Sequence, residues 1–149
     1  MSLSNAAESD MLKLLFQNIS WANIGDAGGL IKSTADGNLY VSLHTADPGE
    51  PGDQTTSETT YTNYVRVAVV RTTSGFTLSG TAPTQVANTA AVNFATCGAS
   101  GATLTYFAIG RASSGTGEII VSGALTSSLI VSSGITPSFA IGALVATAD

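Results

Sequence analysis

The sequence predicts a mainly β protein: an antiparallel β-sandwich or jelly-roll-like domain preceded by one N-terminal amphipathic helix. Three observations predict it. Alternation of apolar and polar residues starts at Asn38 and recurs toward the C-terminus. Gly-rich turns separate these segments about every 8–12 residues, the spacing of sandwiches and small barrels. Helical periodicity is confined to the N-terminal segment, so no helix–strand alternation is present to build a parallel sheet. At 149 residues the chain reads as a single domain, with residues 1–37 as helix and loop and residues 38–149 as the sandwich. A domain of this size buries roughly 68–70% of its unfolded surface, so a core is expected without disulfide or metal.

The helix is expected to start at Asn5 as N-cap, with Glu8 bonding back in a capping box. Leu12, Leu15, Phe16 and Ile19 follow at i, i+3, i+4 and i+7 as its apolar stripe, leaving Lys13 and Gln17 off it. Such a helix plugs an end or face of a β core. Its short extension, residues 1–4, leaves room for an arm that docks on a partner. Residues 20–38 are rich in glycine and lack periodicity, which predicts a loop pinned to the core by Trp21 and Ile24. Gly25-Asp-Ala-Gly-Gly29 looks superficially like a phosphate-binding turn. It lacks the preceding strand and the correctly spaced Lys-Ser/Thr pair that such a turn requires.

The opening strand is expected over residues 38–47, with Leu39, Val41 and Leu43 inward and Tyr40, Ser42 and His44 on a polar face. Pro48, Gly49, Pro51 and Gly52 stop it abruptly. A second strand is expected over residues 64–71, with Val65, Val67 and Val69 opposite Arg66 and Ala68, and short ones over 75–80 and 90–95. Residues 102–111 are apolar on both faces and read as a central strand. Ser113-Ser-Gly-Thr-Gly117 then reads as a hairpin loop. Strands over 118–122, 128–132, 135–140 and 143–147 complete the set, with Pro137 at an edge or strand start.

Ten acidic and five basic residues give a net charge of −5. That balance argues against a protein built to neutralise phosphates, so no nucleic-acid partner is expected. After Arg71 the charged residues are Arg111, Glu118 and Asp149. Exposed strand edges are usually blunted by Lys and Glu, so a β surface this poor in charge is expected to be covered by neighbours in an assembly. Cys97 is the single cysteine, which rules out an intrachain disulfide. No apolar run approaches the ~20 residues that span a bilayer, and the N-terminus lacks a basic leader. The expectation is synthesis in a cytoplasm and no membrane partner.

No cofactor-binding or catalytic residue is expected. His44, the single histidine, has no nucleophile-elbow pattern beside it and reads as a hydrogen-bonding strand residue. Asp47, Glu50, Asp53 and Glu58 lack the alternate spacing of a Ca²⁺ loop, and one thiol with one histidine does not make a zinc site. Tyr61, Tyr64 and Trp21 have no basic groove for nucleic-acid stacking, which leaves sugar binding on a β scaffold as a minor alternative.

Ser2-Leu-Ser-Asn-Ala-Ala-Glu-Ser-Asp-Met-Leu12, Leu39-Tyr-Val-Ser-Leu-His-Thr-Ala-Asp-Pro-Gly49 and Tyr64-Val-Arg-Val-Ala-Val69 resemble, in order, a family of small tailed-bacteriophage virion proteins. So do Thr105-Tyr-Phe-Ala-Ile-Gly110, Gly123-Ala-Leu125 and Phe139-Ala-Ile-Gly-Ala-Leu144. Members are described either as tail fibre proteins or as capsid decoration (cement, minor capsid) proteins, and the resemblance implies no catalytic residues. A compact chain without internal repeats fits decoration better than a long fibre shaft. The expected role is therefore a cement protein on the capsid surface of the virion. Its partners would be the major capsid protein and itself, as a trimer or dimer, after assembly in the host cytoplasm. The alternative is a tail fibre or tail-tip protein. The expected partner contacts are Leu3 in the N-terminal segment and Asp47, Glu50, Asp53, Tyr61 and Tyr64 in and beside the loop of residues 48–64.

Overall fold

The computed structural model describes residues 3–80 and 84–148. Met1 and Ser2 of the expected N-terminal arm lie outside the described residues, as does Asp149. Antiparallel sheets and one helix near the N-terminus make the chain mainly β, consistent with a β-sandwich. The chain divides into two compact units. One contains the residues up to Asn38, Val70–Ala91 and those from Phe139 onward, and the other contains Leu39–Val69 and Val92–Ser138.

In the first unit, helix α1 (Asn5–Gln17) packs on strands β3 (Phe76–Ser79), β4 (Thr84–Asn88) and β9 (Val145–Ala148). Those strands form an antiparallel sheet in the order β3-β4-β9. The helix starts one residue earlier than expected: Ser4 is the N-cap, and its hydroxyl accepts from the Ala7 N–H at 3.3 Å. That shift puts Ala7 where a capping box needs a carboxylate. Glu8 instead opens the buried face, ahead of Leu12 and Phe16 one and two turns further on. Asn18 ends the helix in the left-handed conformation (φ 53°), and the Ile19 N–H closes on the Lys13 carbonyl at 3.2 Å. Ile19 therefore falls beyond the helix, and it and Leu15 are exposed. Gln17, expected off the stripe, is buried and donates to the Phe76 carbonyl at 2.8 Å. Phe16 meets Phe76 edge to face with ring centroids 5.2 Å apart.

The loop after α1 is held by Asn18 rather than by Trp21 and Ile24. Asn18 donates to the Ser33 carbonyl and to Asp36, both at 3.0 Å, and accepts from the Ser33 N–H and the Arg71 guanidinium. Trp21 contributes a backbone bridge to Leu30, and Ile24 is exposed. Within Gly25–Gly29 the Asp26 carboxylate accepts from the Gly28 and Gly29 amides at 2.8 and 3.0 Å. The loop's own acid thus occupies donors that a phosphate would need.

In the second unit the main sheet runs β2-β1-β6-β7, comprising β1 (Asn38–His44), β2 (Val67–Val70), β6 (Ala102–Gly110) and β7 (Ile119–Val131). β1 and β6 are antiparallel with Tyr40 opposite Gly110 and His44 opposite Tyr106. β6 lies inside the sheet, in keeping with its apolar faces. Two-residue strands β5 (Val92–Asn93) and β8 (Ser138–Phe139) pair separately. Val41, Leu43, Tyr61, Leu104, Ile109 and Val131 are buried here.

Several strands differ from expectation. The two segments expected at 118–122 and 128–132 are one strand, β7, because residues 125–128 bulge out of register with β6 instead of turning. β2 begins at Val67, since Tyr64 and Arg66 turn their side chains to the interior of this unit, and Val65 is exposed. β5 and β8 are shorter than expected, and Pro137 immediately precedes β8 with its carbonyl accepting from Phe94. β4 has no counterpart in the sequence-based expectation.

Candidate functional site

The opening strand is not half-buried. Ser42 and His44, expected on its polar face, are fully buried. The chain after the Pro/Gly run comes back along β1. Thr45 donates to the Ser57 carbonyl at 2.8 Å, Thr59 to the Leu43 carbonyl at 2.9 Å, and His44 pairs with Glu58 as an isolated bridge. Pro48 and Gly49 reverse the chain, and the returning segment shields the polar side chains from water.

Each polar group beneath that segment has a partner. His44 Nδ1 lies 2.8 Å from the Thr56 carbonyl, which accepts only, so Nδ1 carries the proton. Nε2, 2.8 Å from Ser42 Oγ, then accepts from the hydroxyl. Burial holds the His44 pKa below its ordinary value, against the opposing influence of the Thr56 bond and Glu58. The pair resembles the base and nucleophile of a triad. Its third member is a carbonyl rather than a carboxylate, and both side chains are fully buried.

Beside it stands an ion pair. Arg66 Nε and Nη2 bond the two oxygens of Glu58, each at 2.7 Å. The same guanidinium reaches the Ala112 and Gly115 carbonyls at 2.9 and 2.8 Å and so holds the loop between β6 and β7. The Glu58 bonds raise the Arg66 pKa further. Tyr64 donates to Glu58 Oε1 at 2.8 Å, and burial raises its hydroxyl pKa. Gln54, also fully buried, accepts from the Ala112 N–H at 2.9 Å and donates to the Tyr40 carbonyl at 3.3 Å. Gly110 and Gly117 leave it that space, because a Cβ on either would sit 2.3–2.4 Å from the Gln54 side chain.

A groove of about 220 Å³ opens above this network, lined by Glu58, Tyr64, Val65, Arg66 and residues 113–115. Its floor is an ion pair already satisfied from within the protein, so the groove is shaped but chemically quiet. The acids of the loop do not converge. Asp47 caps the Gly49 amide at 2.9 Å, and Asp53 accepts from the Thr55 hydroxyl and amide, which lower its pKa. Among the described residues no three His, Cys, Asp or Glu side chains gather as metal ligands.

Of the expected contact residues, Asp47 and Glu50 are exposed and Asp53 is half-buried on this loop. Tyr64 is half-buried on the floor of the groove. Tyr61 offers no surface: it is 2% exposed, packs edge to face on Tyr64, and donates to the Ala95 carbonyl at 2.9 Å. Its ring belongs to the core. Leu3, in the first unit, is 45% exposed. The sequence reading missed the Arg66–Glu58 clamp and Gln54. An arginine inside an otherwise apolar run, eight residues after an acid, is the signal that pointed to the clamp.

A family model described as Podophage GP4 fiber I protein gp80 matches residues 2–147. The chain belongs to this family. No curated protein matches it. A match of that extent takes in both units, and it makes the chain a phage virion structural protein. In this gp80-family chain the clamp, Gln54 and the His44–Ser42 pair hold one rigid loop. Among the described residues no helix is long and apolar enough to cross a membrane.

Proposed function

We propose that this chain is a structural subunit of a podophage tail fibre, which acts by binding and self-association and carries out no catalytic step. The family match over residues 2–147 carries this reading, because the family is described by a fibre protein. It supports the fibre role, the alternative on sequence grounds, better than capsid decoration. The geometry supports a contact role for the loop of residues 48–64. Its exposed acids, Asp47 and Glu50, stand on a base fixed by the Arg66–Glu58 clamp and by Gln54, so binding would cost little ordering entropy. The excess of acidic over basic residues supports a protein partner rather than nucleic acid or an anionic membrane surface.

Immunogold electron microscopy of virions tests the proposal. The expected result is label at the tail in few copies, with a deletion phage that assembles full heads and fails to adsorb. Label spread over the head would overturn it, together with deletion virions that adsorb normally but break under heat or osmotic shock. That outcome would restore the decoration role and the major capsid protein as partner.

A further inference from the structure

β7 is the edge strand of the main sheet of the second unit, and at 13 residues it outruns its neighbour β6. Its pairing with β6 is regular from Ile119 to Ala124, after which residues 125–128 bulge. On the side away from β6, every second residue of such a strand turns its N–H and C=O outward. Among the described residues, the backbone of residues 119–124 has no hydrogen-bond partner other than β6.

Natural edge strands are protected by Lys, Pro, short length, bulges or a covering element. Residues 119–124, Ile-Ile-Val-Ser-Gly-Ala, contain no charge and no proline. Ser122 and Ala124 are small and exposed, and further along the strand Ile130 is 72% exposed. The protection begins only at the bulge.

The hydrogen bonding of the edge calls for another strand, and its charge pattern says which. In a two-fold antiparallel pair the same strand faces itself, so any charge it carries meets its own copy. A foreign strand imposes no such condition. The chain carries −5 overall, yet residues 119–148 contain no charged side chain, so two copies can meet there without repulsion. We infer that residues 119–124 of β7 are the surface through which this chain pairs with a second copy of itself, β7 against β7, joining two sheets into one. The inference rests on the self-association in the fibre reading and assigns it a place.

Sedimentation equilibrium on the full chain tests it. Wild type is expected to exceed the 15.0 kDa monomer mass in a concentration-dependent way. Ser122→Lys with Ala124→Lys should weaken association by roughly tenfold, as expected of like charges brought opposite at both positions. Ser122→Glu with Ala124→Glu should do the same, and an equal mixture of the two variants should recover the wild-type affinity. Far-UV circular dichroism checks that each variant is folded. If either is not, hydrogen exchange on wild type decides: protection of residues 119–124 should fall on dilution as the monomer forms. A lysine variant with wild-type mass, or protection unchanged by dilution, would place self-association elsewhere and overturn the edge while leaving the fibre role to virion imaging. A wild type that is monomeric with freely exchanging β7 amides would overturn self-pairing and leave the edge to a different virion protein.

Discussion

Arg66 uses four N–H donors inside the second unit, two on Glu58 and two on loop carbonyls. The side chains of the pair are 2% and 15% exposed, so removing one partner leaves the other desolvated. Arg66→Met should therefore cost about 3–5 kcal/mol of unfolding free energy, read as a lower denaturant midpoint at unchanged slope. Adding Glu58→Gln should return part of that loss. A cost under about 1 kcal/mol would mean that water reaches the pair in solution. His44 makes a pH prediction. Its pKa when folded lies below 6.5, its value when unfolded, so between the two the unfolded chain binds the extra proton. Its contribution is whole above pH 6.5 and is lost as pH falls through that value toward and past the folded one. Thermal melts between about pH 7 and 5 should show a decline that is shallower in His44→Gln. Equal slopes would remove His44 as the cause.

At the level of elements, β4 shows how a polar residue organises a sheet. Asn88 is buried at the end of β4, donates to the Ala90 and Ala140 carbonyls and accepts from the Leu144 N–H, each at 2.8 Å. It thereby sets the chain that leads into β9. Asn88→Ala should cost about 2–4 kcal/mol in chemical denaturation, since it leaves three main-chain groups without their partner. A loss below about 1 kcal/mol would show that water replaces the amide. The other elements divide by the distance over which their cause acts. α1 was predicted to within a residue, because its cap and turns are local. β1 was located correctly, but its burial was not. Alternation reports one covered face, and the second is covered by a segment that returns only after the Pro/Gly run. The separate strands expected at 118–122 and 128–132 fused because Ser and Thr at 126–128 fit a bulge as well as a turn.

For the whole molecule, the distribution of charge matters more than its total. The half after Arg71 is nearly uncharged, and the structure places the free edge of β7 there. Self-association and location in the virion are therefore separate measurements at this scale: one concerns an edge, the other the particle. The contact residues expected from sequence divide for a physical reason. Asp47 and Glu50 lie on the turn itself, where exposure follows from local geometry. Tyr61 is buried by packing against Tyr64 and by its bond to Ala95, a residue distant in the chain.

By itself the sequence determined the class of fold, the position of the helix, most strands, and the phage virion character of the chain. These follow from periodicity, turn residues and order of motifs, which are properties of neighbouring residues. The tertiary structure alone decided that His44 is walled in, that Arg66 clamps Glu58, that Gly110 and Gly117 make room for Gln54, and that β7 ends the sheet unpaired. Each of these depends on residues brought together from distant parts of the chain, where burial and pairing are set by the fold rather than by adjacent sequence.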